Sequence, residues 1–310
     1  MVIFMKVRLG YVAISCCLDI NSSSPYTYTE YQKYKNLDKL DKVIISNLEG
    51  LNEIIKYNIK NNIHFYRISS KIIPLATKDD VEFDYIDKYK KYYNKIKDNL
   101  KKSNMRIDFH PDQFTVLNST KQEVVKNSIK NLEYHYKLLE ALKVKNKILV
   151  LHVGSSVFGK ENSIKRFINN FNKLPKHLQE IIAIENDDKI FTIQDVTFIS
   201  DKLHIPIILD YHHHICNKST INYEKVFASW SNITPKIHFS SPKSKKEFRS
   251  HHEYINCDEF ITFLENIKKY NQDIDIMIEA KAKDDALFRL VRQLKYKTNY
   301  KFIDETTFIV

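Results

Sequence analysis

Eight short, β-rich apolar runs alternate with longer amphipathic segments, and this alternation constrains the fold more than any other feature of the chain. The runs are Lys6–Val12, Phe65–Ile68, Arg106–Phe109, Ile148–Leu151, Ile181–Ile184, Ile207–Leu209, Lys236–Phe239 and Ile274–Ile278. Several are unbroken stretches of Ile, Leu and Val, as parallel strands covered on both faces require. Between them, Ile44, Leu48, Leu51, Ile55 and Ile59 recur at helical spacing, as do Ile86 to Leu100, Val125 to Leu139, Phe260 to Tyr270 and Leu287 to Leu294. Each series turns one apolar stripe toward a sheet. Eight strand–helix units predict a single (β/α)8 TIM barrel over residues 1–295, with a doubly wound open sheet as the competing architecture. No linker, charge block or repeat divides the chain. Residues 296–310 lie outside the eight units and are expected to form a C-terminal tail or an outer strand.

Composition narrows the class. The 310 residues are 43% hydrophobic and 28% charged, which fits a large globular core and excludes a disordered chain. A formal net charge of +11 favours polyanionic partners such as nucleic acid, although a Lys-, Ile- and Asn-rich chain also reflects AT-rich coding. Cys16, Cys17, Cys216 and Cys257 form no C-x-x-C pair, so neither a disulfide framework nor a thiolate zinc site is expected. No apolar run approaches the roughly 18 residues of a membrane span, and the short apolar start meets Lys6 and Arg8 at once. A cytoplasmic protein with no membrane contact and no obligate protein partner is the expectation.

The chemistry lies in what ends each strand. The third strand is followed by His110, the fourth by His152, the fifth by Glu185, the sixth by Asp210 and the eighth by Glu279; the seventh contains His238. The C-terminal ends of barrel strands open on one face, where barrel active sites sit. Taken singly, each residue has a plainer explanation: a hydrogen-bonded structural His, or a carboxylate capping the next helix. Together, three His and three acids on one face would bury uncompensated charge unless cations sat among them. Asp210-Tyr-His-His-His214 places His213 within reach of the same ion, with His212 and His214 directed elsewhere. In His251-His252 the spacing does not choose between the two. His64 begins a strand at the opposite face, and His135, His177 and His204 lie in or beside helices; none of these is given a role.

So many ligands exceed the needs of one ion and fit two or three divalent metals sharing carboxylates, Mn2+ foremost, with Zn2+ or Mg2+ as alternatives. Glu185 and Asp210, on neighbouring central strands, are the expected bridges. Such clusters suit phosphoryl transfer. Lys236, two residues before His238, points inward by strand alternation. There it pairs with a carboxylate, contacts a substrate phosphate or is converted chemically to an anion; the plain alternative is that it reaches solvent. Lys243, Lys245, Lys246 and Arg249 form a basic loop suited to backbone phosphates, or simply a solvated one.

The order of motifs is now informative. Arg8-Leu-Gly-Tyr11, Arg67-Ile-Ser-Ser70 with Pro74, His110-Pro-x-Gln113, Leu151-His152 with Gly154, Glu185-Asn-Asp-Asp188, Asp210-x-x-His-His214, Lys236-Ile-His238-x-Ser240 and Glu279-Ala-Lys281 occur in sequence. Together they resemble the UV damage endonuclease family over roughly residues 6–290. The resemblance implies a metal-dependent barrel enzyme, a phosphodiester hydrolase. It would cut the damaged strand of double-stranded DNA immediately 5′ of a pyrimidine photoproduct, whether a cyclobutane dimer or a 6-4 photoproduct, leaving 3′-hydroxyl and 5′-phosphate ends. It further implies His110, His152, Glu185, Asp210, His213, His238, His251 and Glu279 as metal ligands, since H-x-D-Y-I in the family corresponds to His251–Ile255. Lys236 matches a lysine lining the metal site, and with Glu185 and Asp210 makes up the expected catalytic set. Tyr11, Gln113 and Phe114 match positions that probe the gap left by a flipped lesion. Some members carry Tyr where this chain has Phe114, which keeps stacking area but loses a polar contact. Some carry His at Lys71, which here joins the DNA-contacting set. The alternatives are an abasic-site endonuclease on the same fold, a metal-dependent sugar isomerase, and a module that recognises damaged DNA without cutting. The basic charge and the Gln113-Phe114 pair argue against the isomerase, and the complete ligand set against the binding module.

Overall fold

A computed structural model describes residues 4–81 and 83–310. Eight parallel strands form the barrel: β1 (Lys6–Ala13), β2 (Phe65–Ile68), β3 (Arg106–Phe109), β4 (Leu149–His152), β5 (Ile182–Glu185), β6 (Ile207–Asp210), β7 (Lys236–Phe239) and β8 (Ile274–Ile278). They pair in the order β2 through β8 and then β1, and a further β1–β2 pairing closes the ring. Strands β4, β5 and β6 run one residue further than the apolar runs suggest. The ladder continues through His152↔Glu185 and Asp210↔His238, so these polar residues belong to the strands themselves.

Helices cover the outside. Leu37–Lys60 buries Ile44, Leu48, Leu51 and Ile55, and Gln122–Ala141 buries Val125, Leu132 and Leu139, in line with their spacing. Short helices at Tyr28–Tyr34, Lys176–Gln179 and Tyr211–Cys216 carry too few turns to show a period.

Residues 296–310 are not a free tail. Two strands, β9 (Lys301–Phe302) and β10 (Thr307–Ile309), form a hairpin, and β10 runs antiparallel to Lys6–Arg8 of β1. The cause is barrel stagger: β2 pairs with β1 only from Tyr11 to Ala13, so the start of β1 has a bare edge that β10 covers.

The barrel interior divides in two. Ile148, Val150, Ala183 and Ile208 pack with Trp230 in an apolar half, and Trp230 donates its indole N–H to the Ile207 carbonyl at 2.7 Å. The other half is charged. Arg8 grips Asp275 through two bonds of 2.6 and 2.7 Å, and Arg106 reaches the same carboxylate at 2.7 Å. One layer higher, Lys236 donates to Asp108 at 2.6 Å, with Arg67 3.6 Å from the other carboxylate oxygen. Buried charges persist only when paired in this way. Gly10 is also inward, in register with Met277, and a Cβ there would collide with the Phe65 carbonyl oxygen.

Candidate metal centre

Three sets of ligand atoms meet at the C-terminal mouth of the barrel. His110, His152 and Glu185 form one; Glu185, Asp210 and His213 a second; Asp210, His238 and Glu279 a third, each within 4.8 Å. Glu185 belongs to two sets and Asp210 to two. The strands bring them together because His152, Glu185, Asp210 and His238 all occupy inward register positions, while His110 and Glu279 directly follow β3 and β8. Glu185, Asp210 and His238 are buried, and His110, His152, His213 and Glu279 rim the opening.

Hydrogen bonds orient the ligands. Glu185 has His110 at 2.8 Å on one oxygen and His238 at 2.5 Å on the other. His110 holds its Nδ1 3.0 Å from the Pro111 carbonyl, and His213 its Nδ1 3.0 Å from the Asn186 carbonyl. Each carbonyl can accept an Nδ1–H and so holds its ring in place, and without a metal His110 turns its Nε2 to Glu185. Asn186 also bonds both backbone groups of Asp210, at 2.9 and 3.0 Å. Asp210 caps the helix Tyr211–Cys216 through the His213 N–H at 2.7 Å, so the plain capping role and the clustering occur together.

The electrostatics suit a cation. Burial, aided by Glu185 and Glu279, pushes the Asp210 carboxyl up to about 8 despite His213. Burial opposes charge on His213, but Asp210, Glu185 and Glu279 raise it to about 9. Burial also works against ionised Glu185, yet His238, His152 and the hydrogen bond from His110 hold it well below the carboxylate range. Asp210 Oδ2 and His152 Nδ1 are buried with no hydrogen-bond partner. A carboxylate and imidazole donor set with no thiolate and an orphaned buried oxygen fits divalent metal.

The remaining candidates divide. His251 stands beside the sets, its ring 6.3 Å from that of His213, but falls in none of them. His252 caps its own turn through Tyr254. Lys236 is buried and faces Asp108, the first of the expected arrangements; burial draws its ammonium down to about 7. Gln113 and Phe114 are exposed on the loop after β3, Phe114 by 76%. Lys71 is exposed beyond β2, and Lys243, Lys245, Lys246 and Arg249 are exposed beyond β7. Lys243 is paired with Glu247 at 2.6 Å and Arg249 lies 3.4 Å from Asp188.

Tyr11 does not probe a lesion in this structure. It pairs in register with Tyr66 on the outer side of β1, is fully buried and donates to Asn58 at 2.8 Å beneath the helix Leu37–Lys60. Strand alternation is the reason: Arg8 and Gly10 face inward, so Tyr11 faces out. Three contributors carried no assignment from sequence. Arg67 reaches Glu279 and His238, both at 2.6 Å; Asp108 pairs with Lys236; Asn186 orients Asp210 and His213. A charge in the middle of FYRI and RIDF signals an inward position, and it appears only when whole strands, not just their ends, are considered.

The UV-endonuclease UvdE family model matches residues 7–307. A UV DNA damage endonuclease from Bacillus cereus (strain B4264) is 42% identical over 301 residues, covering 94% of this chain and 95% of the relative. The crystal structure of SacUVDE superposes with a TM-score of 0.86 at 35% identity, over 94% of this chain and 98% of that one. Endonuclease IV from Thermus thermophilus shares the fold alone, with a TM-score of 0.57 and 10% identity over 94% of this chain and 100% of that one. The chain therefore belongs to the UvdE family of UV endonucleases, enzymes that hydrolyse phosphodiester bonds.

Proposed function

We propose that this protein nicks the damaged strand of UV-irradiated duplex DNA immediately 5′ of a pyrimidine photoproduct, leaving 3′-hydroxyl and 5′-phosphate ends. The observation that carries the reading is the trio of ligand sets joined through Glu185 and Asp210 at the mouth of a barrel from this family. Two or three divalent cations, Mn2+ foremost, would be held by His110, His152, Glu185, Asp210, His213, His238 and Glu279, with His251 alongside. When bound, such ions acidify water and offset charge on the phosphate and the leaving 3′ oxygen.

The chain's own residues supply the rest. His110 and His238 hold Glu185 in one orientation, and Asn186 does the same for Asp210 and His213. Such preorganisation removes the need to reorder the site during reaction. Arg67 bonds Glu279 and His238, and the Lys236–Asp108 pair beneath it fixes the charged layer that supports them. A photoproduct stacks poorly, so extruding it costs less than extruding ordinary bases. Gln113 and Phe114, exposed on the loop that follows His110, would enter the gap. Lys71, Lys245 and Lys246 supply cations for backbone phosphates.

The test uses metal-reconstituted protein with irradiated, abasic and untouched duplexes, each nick being mapped to the nucleotide. Nicking 5′ of the photoproduct, abolished in Glu185→Gln, is expected. Cleavage of abasic duplex alone would assign the lesion differently, and equal cleavage of untouched duplex would remove lesion recognition from the reading.

A further inference from the structure

Phe158 is as exposed as Phe114, both at 76%, and lies in the loop after β4 as Phe114 lies in the loop after β3. These loops directly follow His110 and His152, two members of one ligand set. Val157 beside it is 46% exposed. Phe158 also has φ +63°, a left-handed conformation that an aromatic residue keeps only when its surroundings enforce it.

Those surroundings are specific. Arg166 donates to the Val157 carbonyl at 2.5 Å and to the Asn118 carbonyl at 2.9 Å, so one guanidinium ties the two loops together. Asn118, fully buried, bonds both backbone groups of the β4 loop at Ser155, at 2.7 and 3.0 Å. Asn162 donates to the Phe158 carbonyl at 2.9 Å. Gly154, at φ +112°, allows the loops to meet; a Cβ there would lie 2.5 Å from Asn118 Oδ1. The backbone is thus clamped on both sides while the ring is left in solvent.

We propose that Phe158 is a second nucleic-acid contact, a rigidly presented ring on which an unstacked base of the substrate duplex rests, held in fixed relation to Phe114 by the Asn118–Arg166 clamp. A fixed aromatic ring on a chain of net charge +11 fits bases, which stack on aromatic side chains irrespective of sequence. The inference rests on the duplex-cleaving reading above.

The experiment compares wild type, Phe158→Ala and Phe158→Trp on a duplex carrying one cyclobutane thymine dimer with 2-aminopurine beside it. Phe158→Ala is expected to raise KM by roughly 5- to 100-fold, with kcat within about 3-fold, and to lose the 2-aminopurine unstacking signal. Phe158→Trp should restore both. Because the ring is exposed, the thermal midpoint should not move. Unchanged KM and unchanged 2-aminopurine signal in Phe158→Ala would overturn the proposal. So would a shift from dimer to monomer on sedimentation with DNA handling unaltered, which would assign the ring to an interface between copies. If wild type itself cuts no lesion duplex, it is the functional reading that fails.

Discussion

Asp210 and His213 show how neighbours set the chemistry of a single residue. Without a cation, burial raises Asp210 to about 8, and three carboxylates raise His213 to about 9. At neutral pH the coupled pair therefore shares a proton that a bound metal must displace. Affinity should rise with pH up to about 8–9 and fall as pH drops, because metal and protons compete for the same atoms. Calorimetry of Mn2+ binding at pH 7 in two buffers of different ionisation enthalpy measures the protons released; zero release would contradict this. Lys236 and Asp108 make the opposite case, two buried charges paired with each other at 2.6 Å. Asp108→Leu strands Lys236 and should cost about 3–5 kcal/mol in urea unfolding, whereas adding Lys236→Met should recover most of it. A single substitution costing under about 1 kcal/mol would show that the pair is not what compensates the burial.

At the scale of elements, the C-terminal hairpin is part of the barrel. Phe308 is fully buried, stacked on Tyr300 at 5.6 Å and tilted against Phe302 at 5.0 Å, while its strand covers the edge of β1. Thr306 donates to the Asn62 carbonyl at 2.6 Å, and His64 lies 2.9 Å from Asp304, so the hairpin also holds the turn entering β2. Phe308→Ala should cost about 3–5 kcal/mol by denaturant unfolding, comparable to a core position in the barrel itself. A loss below about 1 kcal/mol would return the segment to the status of a tail.

For the whole molecule, the sum of charges matters less than where they are free. Of the basic loop beyond β7, Lys243 is paired with Glu247 and Arg249 lies close to Asp188, while Lys245 and Lys246 have no ion pair among the described residues. Each phosphate contact contributes about 0.9 to the slope of log affinity against log salt. Replacing Lys245 and Lys246 with Gln should flatten that slope by up to about 2, and Lys243→Gln by less. Binding titrations from low to moderate salt measure this; an unchanged slope would place the loop away from the DNA. Among the described residues, no helix is long and apolar enough to cross a membrane.

The barrel and the strand-end His and carboxylate residues that cluster at its mouth were legible in the chain because both are local patterns. Apolar-rich runs of three to seven residues mark strands, and a polar residue ending such a run lies at the mouth by topology alone. Tyr11 was misplaced because motif position says nothing about which side of a strand a residue faces; its register with Tyr66 does. Arg67, Asp108 and Asn186 went unassigned because their work depends on partners from distant segments, such as Glu279 and Lys236. The clamp between Asn118, Ser155 and Arg166 was equally invisible, since two loop residues and one helical arginine gain meaning only when the two loops touch. Sequence alone determined the period of burial and the kind of ligand atoms available. Only the closed ring decided which of them converge, because convergence is set by stagger and by pairs of residues far apart along the chain.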